Sequence, residues 1–142
     1  MALERLDHYS IRTAKLDETR DFYTSVLGLS VGPRPDFPFP GVWLYQKDRA
    51  VVHVIGIDPN DTAGLLQYLG GSDAGDAIGT GSLDHVAFVA TGLSDMQSRL
   101  QRDKIPHKER KVPGLGLHQV FVEDPNGVTI ELNYPASEAA AA

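Results

Sequence analysis

The chain has 142 residues, 42% hydrophobic and 23% charged, which suits one soluble domain or two small modules sharing a core. Its net charge of −6 disfavours nucleic acid as a partner, and the absence of cysteine excludes disulfides, thiolate metal sites and a cysteine nucleophile. No apolar run is long enough to span a membrane and the start lacks a signal-peptide pattern, so a cytoplasmic protein with no membrane partner is expected.

Leu6 to Ala14 alternates as a strand does. Asp17 is placed to cap a helix that carries Phe22, Tyr23, Val26 and Leu27 on one face and stops at Gly28. Leu29 to Gly32 leads into Pro33-Arg34-Pro35-Asp36-Phe37-Pro38-Phe39-Pro40-Gly41, too rich in proline for regular structure. Strands are predicted over Val42 to Gln46 and Ala50 to Gly56, with a polar turn between them. Residues 57–81 read as a linker with one short helix, Thr62 to Leu69.

From residue 82 the order repeats. Leu83 to Ala90 is a strand, and Ser94 is placed to cap a helix through Asp103. Strands follow over His107 to Val112, His118 to Val122 and Val128 to Asn133, with a hairpin turn at Asp124-Pro125-Asn126-Gly127. The basic run Arg99, Arg102, Lys104, Lys108, Arg110 and Lys111 reads as a solvated helix face and the turn after it. The alanine-rich residues 136–142 are expected to be irregular. The domain therefore divides into a first module over about 5–56 and a second over about 82–134.

Leu6-Asp7-His8 recurs as Leu83-Asp84-His85, 77 residues on, and each copy opens the same series of strand, helix and three strands. Alternation then sorts the side chains. Tyr9, Ile11 and Thr13 share one face of the first strand, and His8, Ser10 and Arg12 share the other. Val86, Phe88 and Ala90 form the apolar face of its copy, which turns His85 away from the helices. Ile130 and Leu132 oppose Thr129, Glu131 and Asn133, and Val52 and Val54 oppose Val51, His53 and Ile55. With one inserted residue, His53 is the counterpart of Glu131. The repeat thus yields two pairs, His8 with His53 and His85 with Glu131, all on the face away from the helices.

The two Leu-Asp-His motifs, Asp21-Phe22-Tyr23 with Val26-Leu27-Gly28-Leu29, and Asp124-Pro125-Asn126-Gly127 with Ile130-Glu131-Leu132 resemble the vicinal-oxygen-chelate superfamily. It includes glyoxalase I, epimerases, bleomycin-resistance proteins and extradiol dioxygenases. The resemblance covers residues 5 to 134 and implies an α+β fold. Two paired βαβββ modules would form a curved, barrel-like mixed sheet around a metal cavity, with the helices outside. By position it implies His8, His85 and Glu131 as ligands of one divalent metal, a set that suits Fe(II) and also accepts Mn(II), Ni(II), Co(II) or Zn(II).

The family's members imply several chemistries. A histidine at position 53 favours a ring-cleaving dioxygenase of a small aromatic diol, with His53 as acid–base group and His118 as a second pocket histidine. A glyoxalase-type lyase, isomerase or epimerase is the alternative, and a non-catalytic drug-binding protein is a further one. Trp43, Tyr45, Phe37, Phe39 and Asn133 are expected to line the substrate pocket. Arg12, Arg34 and Lys111 are the candidates for binding an anionic substrate, too few for glutathione or coenzyme A. A small-molecule substrate and a homodimer complete the expectation.

Overall fold

Alternating Tyr9–Thr13 forms the first strand, β1, with Ile11 and Thr13 buried and Ser10 and Arg12 exposed. The computed structural model describes residues 5–57, 80 and 83–140; the predicted helix Thr62 to Leu69 lies outside them. The chain divides into two compact units, residues 1–78 and 79–142.

In the first unit, α1 (Leu16–Asp21) follows β1 and continues through a wider π-helical turn over Phe22–Val26. Thr24 contributes to that widening: its hydroxyl donates to the Arg20 carbonyl at 3.0 Å and competes for the ladder's acceptor. The expected cap is displaced, since Asp17 lies inside the first turn and the helix begins after Lys15. Gly28 ends the helical segment with φ 80°. Strands β2 (Ser30–Gly32), β3 (Gly41–Gln46) and β4 (Arg49–Gly56) complete the unit. The sheet order is β1-β4-β3-β2, with β1 and β4 parallel and the other pairs antiparallel.

The second unit repeats this plan. It runs β5 (Val86–Val89), α2 (Leu93–Arg102), β6 (His107–Val112), β7 (Leu117–Glu123) and β8 (Thr129–Pro135). The sheet order is β5-β8-β7-β6, again with one parallel pair, β5 with β8. Each module is therefore a four-stranded mixed sheet in an α+β fold, as the repeat predicts. Asp124 builds the last hairpin turn: its Oδ1 accepts the N–H groups of Asn126 at 2.8 Å and Val128 at 2.9 Å.

One face of each sheet is apolar and carries the helices. In the first unit Ile11, Val42, Leu44, Val52 and Val54 are buried with Tyr23 and Val26. In the second, Val120, Val122, Ile130, Leu132 and Tyr134 are buried with Leu93, Met96 and Leu100. Each such side chain contributes about 1.5–3 kcal/mol on burial, which fixes the face each strand turns inward.

Two features of the second unit depart from expectation. Residues Ala136–Ala140 form a helix, α3, where composition suggests an irregular tail. Glu138 on it, and not Ser94, caps α2: Oε1 accepts the Gly92 N–H at 2.9 Å and the Leu93 N–H at 3.2 Å. The helix begins one residue before Ser94, so that serine already lies within it.

Candidate metal centre

The opposite face of each sheet is the open one, and all four residues of the repeat-derived pairs stand on it. In the first unit Ser10 pairs with His53 across β1 and β4, and in the second Ala87 pairs with Glu131 across β5 and β8. Ser10 follows His8 by two residues and Ala87 follows His85 by two. His53 and Glu131 therefore occupy equivalent positions.

The first unit holds His53 in a stack. The His8 ring lies 3.7 Å from it at 12°, and the Trp43 ring lies 3.8 Å away on the other face at 11°. His53 Nε2 lies 3.1 Å from the Ala50 carbonyl, which can only accept, so that nitrogen carries the proton and Nδ1 is the lone-pair nitrogen. Burial in the stack, followed by the neighbouring His8, lowers the pKa of His53 below 6.5 and favours the neutral ring.

The second unit sets an imidazole against a carboxylate. His85 Nε2 lies 3.5 Å from Glu131 Oε1, and Asn133 Nδ2 donates to the other oxygen, Oε2, at 2.9 Å. The hydrogen bond to Asp84 raises the pKa of His85 above 6.5, with desolvation opposing and Glu131 adding to the rise.

The aspartate of the repeated motif has a role that the spacing alone leaves unread. His8 Nδ1 donates to Asp7 Oδ2 and His85 Nδ1 donates to Asp84 Oδ2, both at 2.7 Å. A carboxylate holding Nδ1–H leaves Nε2 as the ligating nitrogen, the usual outer-shell arrangement of a metal-bound histidine.

These donors fit a divalent ion. Metal bonds of about 2.0–2.2 Å set two ligating atoms roughly 3.0–3.4 Å apart, which the 3.5 Å from His85 Nε2 to Glu131 Oε1 nearly meets. Parallel stacking keeps the in-plane lone pairs of His8 and His53 from converging, so the two rings would not ligate one ion together. Among the described residues no group of three or more His, Asp or Glu stands at metal-ligand spacing. Each unit carries one of the repeat-derived pairs on its own open face.

The other expected site residues are distributed differently. His118 lies on the helix face, opposite to Glu131: its cross-strand partner is buried Tyr134. His118 Nε2 donates to Glu109 Oε1 at 2.7 Å, and His107 Nε2 is 3.6 Å from Oε2. The expected second pocket histidine is thus part of a structural cluster beneath α2. Tyr45 lies across β2, against Gly32, where a Cβ would meet its ring at 2.4 Å, and its hydroxyl donates to the Pro33 carbonyl at 2.6 Å. It braces the proline-rich loop. Phe37 and Phe39 stack at 5.1 Å, with Phe39 buried against Ile55 and Ile57, and only Phe37 approaches Trp43, at 6.4 Å.

Two cations are where sequence reasoning does not put them. Lys108 pairs with Phe121, which pairs with Glu131; Arg110 pairs with Gln119, which pairs with Asn133. Both cations therefore stand on the open face of β6, and Lys108 and Phe121 line a cleft of about 520 Å³ with Thr129 and Glu123. The signal was present as their spacing of two, but His107 to Val112 carries too little apolar character to tell its faces apart.

The chain belongs to the Glyoxalase/Bleomycin resistance protein/Dioxygenase superfamily, whose family model matches residues 5–132. It is 30% identical over 144 residues to a protein of Synechocystis sp. named "Probable lactoylglutathione lyase", covering 92% of this chain and 95% of the relative. A Vibrio cholerae protein of the same name is 26% identical over 140 residues, covering 93% and 91%. Among solved structures, the glyoxylase/bleomycin resistance protein/dioxygenase domain from Frankia sp. EAN1pec superposes with a TM-score of 0.69 at 15% identity, covering 94% of this chain and 93% of that one. The expected preference for a ring-cleaving dioxygenase finds no support in these named relatives, which stand with the lyase alternative. No helix among the described residues is long and apolar enough to cross a membrane.

Proposed function

We propose that the chain is a metal-dependent lyase or isomerase of the glyoxalase type, with His8, His85 and Glu131 as ligands of one divalent ion and His53 as the acid–base group. The observation that carries this reading is the second unit's pair, an imidazole anchored at Nδ1 by Asp84 and facing a carboxylate at 3.5 Å. A three-ligand centre also needs His8, supplied by the same chain or by a second copy in a homodimer. The nitrogen and oxygen donors admit Zn(II), Ni(II), Co(II), Mn(II) or Fe(II).

The substrate class follows from the lyase relatives and from Lys108 and Arg110: a hemithioacetal of a 2-oxoaldehyde and an anionic thiol such as glutathione. When bound, the ion supplies Lewis acidity to the substrate's two neighbouring oxygens. His53 Nδ1 takes the proton from the carbon bearing sulfur and returns it to the adjacent carbon, giving a 2-hydroxy thioester with no outside oxidant or reductant. Lys108 and Arg110 hold the carboxylates of the thiol, and Trp43 keeps the base in place.

The test is metal content by mass spectrometry followed by thioester formation from methylglyoxal and glutathione. One divalent ion per site and turnover lost in Glu131→Ala support the reading. Oxygen uptake with catechols, and none of the thioester, would return the assignment to ring cleavage. The stacked Trp43 also suits a planar drug held without catalysis; binding that survives loss of all three ligands would identify that function.

A further inference from the structure

We infer that Arg110, Gln119 and Asn133 form a positioning relay that presents Glu131 to the metal, an inference that rests on the reading of Glu131 as a ligand. The three residues lie in one row across β6, β7 and β8, since Arg110 pairs with Gln119 and Gln119 with Asn133. Arg110 Nε donates to Gln119 Oε1 at 2.7 Å, Gln119 Nε2 donates to Asn133 Oδ1 at 2.9 Å, and Asn133 Nδ2 donates to Glu131 Oε2 at 2.9 Å. Every amide accepts with its oxygen and donates with its nitrogen. The chain therefore has a single direction, from a guanidinium at its head to a carboxylate at its tail.

That direction has consequences for the carboxylate. Charge at both ends strengthens the bonds between them, and the buried Gln119 keeps the middle of the chain from exchanging with water. The relay occupies Oε2 and leaves Oε1 toward His85 Nε2, so one oxygen is held and the other is offered. The head is itself fixed: the Arg110 guanidinium lies 5.4 Å over the Phe121 ring, the cross-strand neighbour of Glu131. A carboxylate held this way does not have to be ordered when the ion arrives, which is how outer-shell partners raise metal affinity.

The experiment titrates Co(II) into the intact, metal-free protein, reading affinity by calorimetry and ligand geometry by the visible absorption of the bound ion. Gln119→Met keeps the side chain's length and removes both bonds; it is expected to bind Co(II) about tenfold more weakly with a shifted spectrum. Gln119→Glu restores an acceptor for Arg110 but turns Asn133 around, and is expected to bind at least as weakly as Gln119→Met. Arg110→Met, at an exposed position, is expected to weaken binding by a few fold and carries the test if the buried variants fail to fold. Metal-free melting temperatures close to the parent's assign these losses to the site. Wild-type affinity and spectrum in Gln119→Met and Arg110→Met, with binding lost in Glu131→Ala, would refute the relay while leaving the ligand in place. Co(II) binding that ignores Glu131→Ala would overturn the ligand assignment and the relay together.

Discussion

In the first module the last strand sets an imidazole beside Ser10; in the second the same strand sets a carboxylate beside Ala87. Backbone register is shared to the residue, and the surroundings of the two side chains are opposite in kind. His53 is sandwiched by rings, with one hydrogen bond to a main-chain carbonyl. Glu131 sits at the end of a chain of hydrogen-bond donors. A duplicated scaffold thus offers two equivalent positions with different side chains and different surroundings. Stacked rings desolvate His53 and, with the neighbouring His8, favour its neutral form. Under the proposed function, the first position would move a proton and the second would help hold the ion.

Deleting each member of the pair should separate the two positions most strongly. Glu131→Ala is expected to lower metal affinity by about a hundredfold or more, beyond the effect of an outer-shell partner, measured by calorimetry. His53→Ala is expected to keep the metal and lower kcat by about 10²–10⁴, the range of a lost acid–base group. If His53→Ala released the ion instead, the two positions would share one role and the distinction would fail.

Trp43→Ala sharpens the same contrast from the side of the stack. Burial is the main cause of the lowered His53 pKa, so opening one ring face raises it toward 6.5. A base must be unprotonated, so the acidic limb of the kcat profile should move to higher pH. A profile left in place would mean that the stack does not set the state of His53.

Smaller effects test the scaffold of the second module. Glu138→Ala removes the acceptor that caps α2 and is expected to cost about 1 kcal/mol. In a chain of this size that is roughly 2–4 °C in Tm by calorimetry, and it would confirm that residues 136–140 are part of the folded unit. The least effect is reserved for Glu109. Burial opposes its ionisation, but hydrogen bonds from His118 and Gln97 outweigh it and hold the carboxyl below 4.5. A lowered carboxyl contributes stability above its unfolded value, and that contribution is lost as pH falls through the folded one. Acid unfolding should therefore begin at lower stability cost in Glu109→Gln, whose ΔG changes less steeply with pH below about 4.5 than the parent's.

Much of this molecule is written in local patterns. Strict alternation in Tyr9–Thr13 and Thr129–Pro135 sorts their side chains by face, because hydrophobic burial selects one of two possible orientations. The repeated Leu-Asp-His and the one-residue insertion identify His53 with Glu131 from the sequence alone. Gly28 and Asp124 mark a helix end and a hairpin turn through conformational rules that need no distant partner.

Long-range packing places the side chains wherever alternation is weak or the partner is remote in sequence. Leu117–Glu123 buries His118, Gln119 and Val120 in succession, so no pattern of two reveals that His118 faces the helices and Gln119 the open side. His107–Val112 is almost wholly polar, which conceals Lys108 and Arg110 as open-face cations inside a run that reads as solvent-facing. The α2 cap comes from Glu138, 46 residues beyond Gly92, and a nearby serine is the better guess from sequence alone. The relay joins residues on three strands, related only through sheet register. Local propensity records the backbone's own preferences, while these side chains are placed by long-range pairings whose free energy exists only once the sheet has formed.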